Sequence, residues 1–277
     1  MNPEARVRAV HSDQRHRCVL VTGGTRGLGL ATARALARQG ARCVLTYSFG
    51  SADESQVRRL FNEDGSLEPY IVRADVTQAD ETHALITELR VKFPSIDVLV
   101  SNAATALVVR TIEDYTERGL LQSVRGSVWP TFEYLFRLRD VFGAYPRYVV
   151  VISSTGPDSF CVQYDFVAAA KAMLETLCRY MSHRLRDENV SINIVRTRGV
   201  LTDSLDATFG AEMKAFVSRF VRPGDFIRAE EVADVVVALC SGLLDGMRGQ
   251  TITVDRGTTF HDNITHFFAE RAALGIG

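Results

Sequence analysis

The chain has 277 residues, 46% of them hydrophobic and 23% charged, with a formal net charge of -1 at pH 7. That length accommodates a substantial core in one large α/β domain or two small ones, and the balanced charge removes any global electrostatic case for nucleic acid or an anionic membrane as partner. No apolar run approaches the ~18 residues of a membrane span, and the five cysteines, Cys18, Cys43, Cys161, Cys178 and Cys240, show neither metal-ligand spacing nor a disulfide framework, so no metal and a reduced, cytoplasmic location are expected.

Residues 1–16, rich in Arg and poor in apolar side chains, read as a flexible N-terminal arm. Cys18-Val19-Leu20-Val21 then reads as a buried strand, Thr22-Gly23-Gly24-Thr25-Arg26-Gly27-Leu28-Gly29 as a glycine-rich turn, and Leu30 to Gly40 as a helix closed by glycine. Glycines 23, 27 and 29 at a strand-to-helix turn let backbone pass close to a pyrophosphate, which the helix N-terminus stabilises with free N–H groups and its dipole. The second strand, Arg42 to Tyr47, ends in Tyr47, Ser48 and Phe49, with no carboxylate before Asp53. A carboxylate there would bind the ribose diol of NAD. Its absence, together with Arg26 as a charge-assisted partner for a 2′-phosphate, favours NADP(H) over NAD(H).

A helix over 51–64, a strand over 69–74 ending in Asp75-Val76, a helix over 78–92 and a strand over 96–100 ending in Ser101-Asn102-Ala103-Ala104 continue the rhythm. Asp75 can cap the following helix or meet the adenine edge. The small residues Ala103 and Ala104 admit a flat ligand, and Asn102 can bond neighbouring backbone. The alternation predicts a doubly wound parallel sheet with helices on both faces, and ligands outside the carboxyl ends of its strands. Two helical segments over 112–143, joined awkwardly at Ser127-Val128-Trp129-Pro130, carry more apolar residues than one sheet face needs. A homodimer or homotetramer interface and a fully buried helix would both produce that pattern.

The strand at 148–152 leads into residues 153–171, which carry Ser153, Ser154, Tyr164 and Lys171 into one neighbourhood ahead of a helix over 168–186. Helical residues seven apart differ by about 700° of rotation, so Tyr164 and Lys171 can share a face. Only Lys92, Lys171 and Lys214 are lysines among 32 basic residues, which favours a role at 171 that needs a compact ammonium group. A strand over 190–195, a turn Arg196-Thr197-Arg198-Gly199, an aromatic-rich substrate loop over 200–228, a helix over 230–241 and a strand over 251–254 complete a single dinucleotide-binding domain spanning 17–257. The tail, 258–277, carries Phe260, Phe267 and Phe268 for a possible subunit contact.

The glycine turn, Asp75-Val76, Ser101-Asn102-Ala103-Ala104, Ser154, Lys171 and Gly249-Gln250-Thr251-Ile252-Thr253-Val254-Asp255 together resemble a short-chain dehydrogenase/reductase. The resemblance implies a seven-stranded Rossmann sheet, cofactor phosphates on the glycine turn, Asp75 and Val76 flanking adenine, and Asn102 near the nicotinamide ribose. It also implies that Thr202, after Arg198-Gly199, contacts the carboxamide. In that family a Tyr-x-x-x-Lys pair with an upstream serine carries the chemistry. Here the position four before Lys171 is Val167, whereas Ser154 stands where the serine belongs. Tyr164 instead gives Tyr-x6-Lys, which is similar to the enoyl-acyl-carrier-protein reductases, and Arg26 and the glycine turn look most like their NADPH-preferring subgroup. Ser123, Arg198 and Arg256 depart from the pattern at positions where Asn, Pro and Gly are frequent, and Phe160 stands where some enoyl reductases present a second tyrosine.

The resemblance implies NADPH-dependent reduction of the double bond of an α,β-unsaturated acyl thioester on acyl carrier protein or coenzyme A. Tyr164 would hydrogen-bond the carbonyl oxygen, Lys171 would bond the ribose, and Ser154 would orient substrate or cap its loop. Two other expectations stand beside it: a ketoreductase or alcohol dehydrogenase of a secondary pathway, and a non-catalytic NADP-binding protein.

Overall fold

The computed structural model describes residues 14–48, 53–105, 107–198, 200, 226–260, 262–272 and 275. Seven strands form one sheet: β1 (Cys18–Val21), β2 (Arg42–Tyr47), β3 (Tyr70–Arg73), β4 (Val98–Ser101), β5 (Tyr148–Ser154), β6 (Ser191–Thr197) and β7 (Thr251–Val254). Their order is β3-β2-β1-β4-β5-β6-β7, and every pairing is parallel. The doubly wound sheet expected from the alternation is therefore present. Chain order reverses between β1 and β4, which opens a crevice at their carboxyl ends.

Strand alternation sends neighbouring side chains to opposite faces and makes two cores. Val19 and Val21 point to one face, packed with Leu36 of α1 (Gly27–Arg38), Phe61 of α2 (Glu54–Glu63) and Val232 of the helix Ala229–Leu239. Leu20 points to the other, with Leu89 of α3 (Ala79–Lys92), Leu135 of α5 (Trp129–Phe142) and Leu174 of α6 (Asp165–Arg184). Between α3 and α5 in sequence lies α4 (Glu117–Ser127), and the helix Ala229–Leu239 is α7. The awkward join at 127–130 is a break at Val128, which ends α4 and precedes α5, with Pro130 in the first turn where its missing N–H costs nothing.

Three boundaries differ from the sequence reading in ways that matter to the site. Helix α6 begins at Asp165, ahead of the expected start at 168, which brings its N-cap to Tyr164. Strand β5 extends through Ser154, and β6 extends through Thr197, so Arg196 belongs to the sheet instead of the following turn. In the tail, a short 3-10 turn, Thr258–Phe260, precedes the helix α8 (Asn263–Glu270). Most of the substrate loop, residues 201–225, lies outside the described residues, while its flanks meet in a bridge between Val200 and Ile227. Among the described residues no helix is long and apolar enough to cross a membrane.

Candidate active site

A cleft of about 500 Å³ runs along the carboxyl ends of the strands. One half begins at the turn between β1 and α1, where Gly23 and Gly27 adopt φ of 62° and 52°, the left-handed region that glycine enters without a Cβ penalty. Gly29 answers to a different constraint: a Cβ there would lie 2.2 Å from the Gly23 carbonyl oxygen and 2.6 Å from Asn102 Nδ2. The turn is tied to β4 by Asn102, whose Nδ2 donates to the carbonyls of Thr22 and Gly23, each at 3.0 Å. The Thr22 hydroxyl in turn accepts from the amides of Asn102 and Ala103 at 3.0 and 3.1 Å.

Thr25, Arg26 and Leu28 join the turn glycines on the cleft wall, and Ser48, Asp75, Val76 and Ala103 line the same side. Arg26 is exposed at the N-cap of α1 and makes no side-chain capping bond. Asp75 accepts from the Thr77 amide and hydroxyl at 2.9 and 2.8 Å, a local turn ahead of α3. The N-cap of α3 is Gln78, so Asp75 does not cap that helix. Tyr47, which ends β2, donates to Glu54 at 3.2 Å, and Glu54 also receives Arg58. A gap lined by backbone amides, closed to any side chain at 29 and opening at a helix N-terminus, fits the phosphates of a dinucleotide.

The other half is built by the end of β5, the loop after it and the first turns of α6. Ser154, Tyr164, Val167 and Lys171 all line the cleft. The Tyr164 hydroxyl donates to Ser154 Oγ at 3.2 Å. Burial pushes the phenol above its ordinary value, and the bond to Ser154 opposes the shift. Lys171 is buried and donates from Nζ to the Ile152 carbonyl at 2.8 Å. Burial pulls its ammonium down to about 8, partly offset by the charge of Glu175.

Glu175, one turn along α6, is a buried neighbour of Lys171 that sequence reasoning missed. It is 1% exposed, accepts from Ser153 Oγ at 2.6 Å and receives Arg196 through Nε at 2.7 Å and Nη2 at 2.5 Å. Arg196 also bonds Asp158 in the loop that carries Tyr164. A buried carboxylate of this kind persists only when paired and hydrogen-bonded, and here it joins β5, β6, α6 and the loop beneath Lys171. The available signal was a glutamate on the buried stripe of an apolar helix, facing an arginine inside a strand.

Of the remaining expected residues, Gly199 and Thr202 lie outside the described residues. Arg198 and Phe160 line the cleft and are exposed. Ser123 is fully buried on α4, its hydroxyl without a hydrogen-bond partner among the described residues.

The family model described as "Enoyl-(Acyl carrier protein) reductase" matches residues 23–259. A 1-cyclohexenylcarbonyl-CoA reductase of Streptomyces collinus is 27% identical over 252 residues, covering 88% of this chain and 87% of that protein. A 3-oxoacyl-[acyl-carrier-protein] reductase of Staphylococcus aureus is 27% identical over 244 residues, covering 86% and 96%. Among solved structures, the enoyl-[acyl-carrier-protein] reductase (NADH) from Aquifex aeolicus VF5 superposes with a TM-score of 0.77 at 23% identity, covering 90% of this chain and 98% of that one. A variant of actinorhodin polyketide ketoreductase with NADPH gives 0.78 at 22% identity, covering 88% and 98%. The two structural likenesses speak to the fold.

Proposed function

Since the chain belongs to the short-chain dehydrogenase/reductase superfamily, within the family described as Enoyl-(Acyl carrier protein) reductase, and is a nicotinamide-dependent oxidoreductase, we propose that it reduces the carbon–carbon double bond of an α,β-unsaturated acyl thioester with NADPH. The observation that carries this reading is the placement of Tyr164 in the cleft beside Ser154, while the position four before Lys171 holds Val167, which has no proton to give. A phenol held near its neutral form is a hydrogen-bond donor for the charge that develops on a thioester oxygen as an enolate forms.

When bound, the reduced nicotinamide would supply a hydride equivalent to the β-carbon, and the resulting enolate would take its second hydrogen at the α-carbon as a proton from solvent. The chain's own residues would do the rest. The backbone of Gly23, Thr25, Gly27, Leu28 and Gly29 would hold the phosphates, and Asp75 and Val76 the adenine. Asn102, Ala103 and Lys171 would hold the nicotinamide ribose, and Gly199 and Thr202 its carboxamide. Lys171 adds positive potential beside the polarised carbonyl, and Ser154 orients the Tyr164 hydroxyl. Preference for NADPH rests on Arg26 and Ser48 at the ribose edge, and on Glu54 being engaged by Tyr47 and Arg58. The thioester is carried by coenzyme A or acyl carrier protein. Apolar side chains exposed on α4, α5 and α6, among them Leu121, Trp129, Leu177 and Tyr180, support a homodimer or homotetramer.

A second reading, carbonyl reduction, is favoured by the Ser154–Tyr164 hydrogen bond, since a serine and a tyrosine side by side can also grip a ketone oxygen. Loss of reduced-nicotinamide absorbance with crotonyl thioesters, set beside a panel of ketones, separates the two. Enoyl reduction predicts oxidation of NADPH with the thioesters, and oxidation with the ketones alone refutes it. Replacing Tyr164 by Phe is expected to lower kcat about 100-fold, the scale on which loss of one oxyanion donor acts, with NADPH affinity unchanged. Wild-type turnover in that variant removes Tyr164 from the mechanism.

A further inference from the structure

Gly156 lies two residues beyond Ser154, in the loop between β5 and α6. Its φ is not in the left-handed region, so the backbone places no demand for glycine there. The demand comes from Tyr164. A Cβ built on Gly156 would lie 2.8 Å from both Cδ1 and Cε1 of the Tyr164 ring, and 3.2 Å from Ala168 Cβ behind it. Ordinary contacts between carbon atoms lie at about 3.5–4.0 Å, so the ring occupies the space that any side chain at 156 would need.

The ring is poorly placed to yield by moving its backbone. The Tyr164 amide donates to the Cys161 carbonyl at 3.2 Å, and the Tyr164 carbonyl accepts from the Ala168 amide at 2.8 Å. Gln163, immediately before it, already sits at φ 63°, an uncommon conformation for a residue other than glycine. On the other side, the amides of Asp158 and Ser159 both donate to the Thr155 carbonyl at 3.0 Å, and Arg196 bonds Asp158. Gly156 and Tyr164 also share one oxygen: Ser154 Oγ lies 3.4 Å from the Gly156 amide and 3.2 Å from the Tyr164 hydroxyl.

We propose that Gly156 is a positioning residue, whose missing side chain seats the Tyr164 ring against the loop and so sets the hydroxyl beside Ser154 in the cleft. This rests on the reading of Tyr164 as the group that meets the substrate oxygen. A tyrosine seven before the lysine starts outside the helix, and it reaches the site only because the loop beneath its ring is bare.

The test combines Gly156→Ala with two changes at 164. G156A is expected to lower kcat for crotonyl thioester by about 10- to 100-fold, the cost of an ångström-scale misplacement, with the Kd for NADPH within about twofold of wild type on the same ground. In a Y164F background the same change should cost no further turnover. A thermal cycle supplies a readout independent of activity: G156A should lower Tm when residue 164 is Tyr and leave it unchanged when residue 164 is Ala. Should G156A fail to fold, recovery of folding in G156A/Y164A carries the same information. Wild-type turnover in G156A while Y164F is slow overturns this inference alone. An equal loss of Tm or turnover whatever stands at 164 also overturns it. Wild-type turnover in Y164F removes the underlying reading of Tyr164, and this inference with it.

Discussion

Lys171 is a buried side chain whose proposed chemistry requires charge. It donates to the Ile152 carbonyl, and burial pulls its ammonium down from the ordinary 10.5 to about 8. Below pH 8 the folded and unfolded chains both carry the proton, and the folded chain bears the full desolvation cost. Between about 8 and 10.5 the folded amine is neutral while the unfolded one still binds a proton, so the contribution of Lys171 to stability rises with pH across that window. The ceiling on this rise is about 3 kcal/mol. Buried cysteines, pushed up to about 12 or beyond, pull the opposite way in the same range, so the quantity to measure is a difference. The unfolding free energy of wild type minus that of Lys171→Met, from urea titrations between pH 7.5 and 10.5, is expected to increase with pH. A flat difference would mean that Lys171 is more hydrated than its burial implies. The lysine itself was legible in the sequence from its scarcity and its distance from Ser154. The pairing of Glu175 with Ser153 and Arg196 was not, because the meeting of a helix with the end of a strand depends on how far β6 runs, and its last residues, Arg196 and Thr197, resemble a polar turn.

At the scale of elements, the β1-turn-α1 unit was the most readable part of the molecule, since strand, glycines and helix follow one another without interruption. The sequence reading began α1 three residues late, and that difference bears on function: because α1 starts at Gly27, Gly29 sits in its first turn with Gly23 and Asn102 packed over its Cα. Gly29→Ala is therefore expected to push the turn open and weaken NADPH binding by at least about 10-fold, a loss of about 1.4 kcal/mol or more. Fluorescence titration with the reduced cofactor measures this, and undiminished affinity would show that phosphate contacts lie elsewhere. The loop before α6 was the least readable part. From Pro157 to Gln163 there is neither helical nor strand period, so the sequence left open whether Tyr164 lies inside the helix whose first residue it in fact precedes. Gly156 reads in sequence as an ordinary loop glycine, because the ring that requires it arrives eight residues later by a tertiary contact.

For the whole molecule, alternation of strands and helices was sufficient to give the sheet, its parallel sense and the edge on which the cleft opens. What surrounds the molecule was less legible, because an apolar helix face reads alike whether a sheet or a second subunit covers it. The structure leaves Met173, Leu177 and Tyr180 of α6 exposed, with Leu121 on α4 and Trp129 on α5. Exposure of that many large apolar groups on neighbouring helices is costly for a monomer. Sedimentation at micromolar concentration is expected to report a particle of at least twice 30.7 kDa, the mass of one chain. A 30.7 kDa particle at that concentration would exclude the assembly.

The bonds from Asn102 to Thr22 and Gly23 set an order in time. The glycine turn is encoded near the start of the chain, yet the amide that holds it arrives with β4, after α1, β2, α2, β3 and α3 have been made. During synthesis the turn is therefore exposed before it is shaped, and loop closure over that distance has to precede its completion. Nicotinamide cofactor should thus act late in folding, trapping a sheet whose first four strands have already found one another, and adding it to a refolding chain should slow unfolding more than it speeds folding.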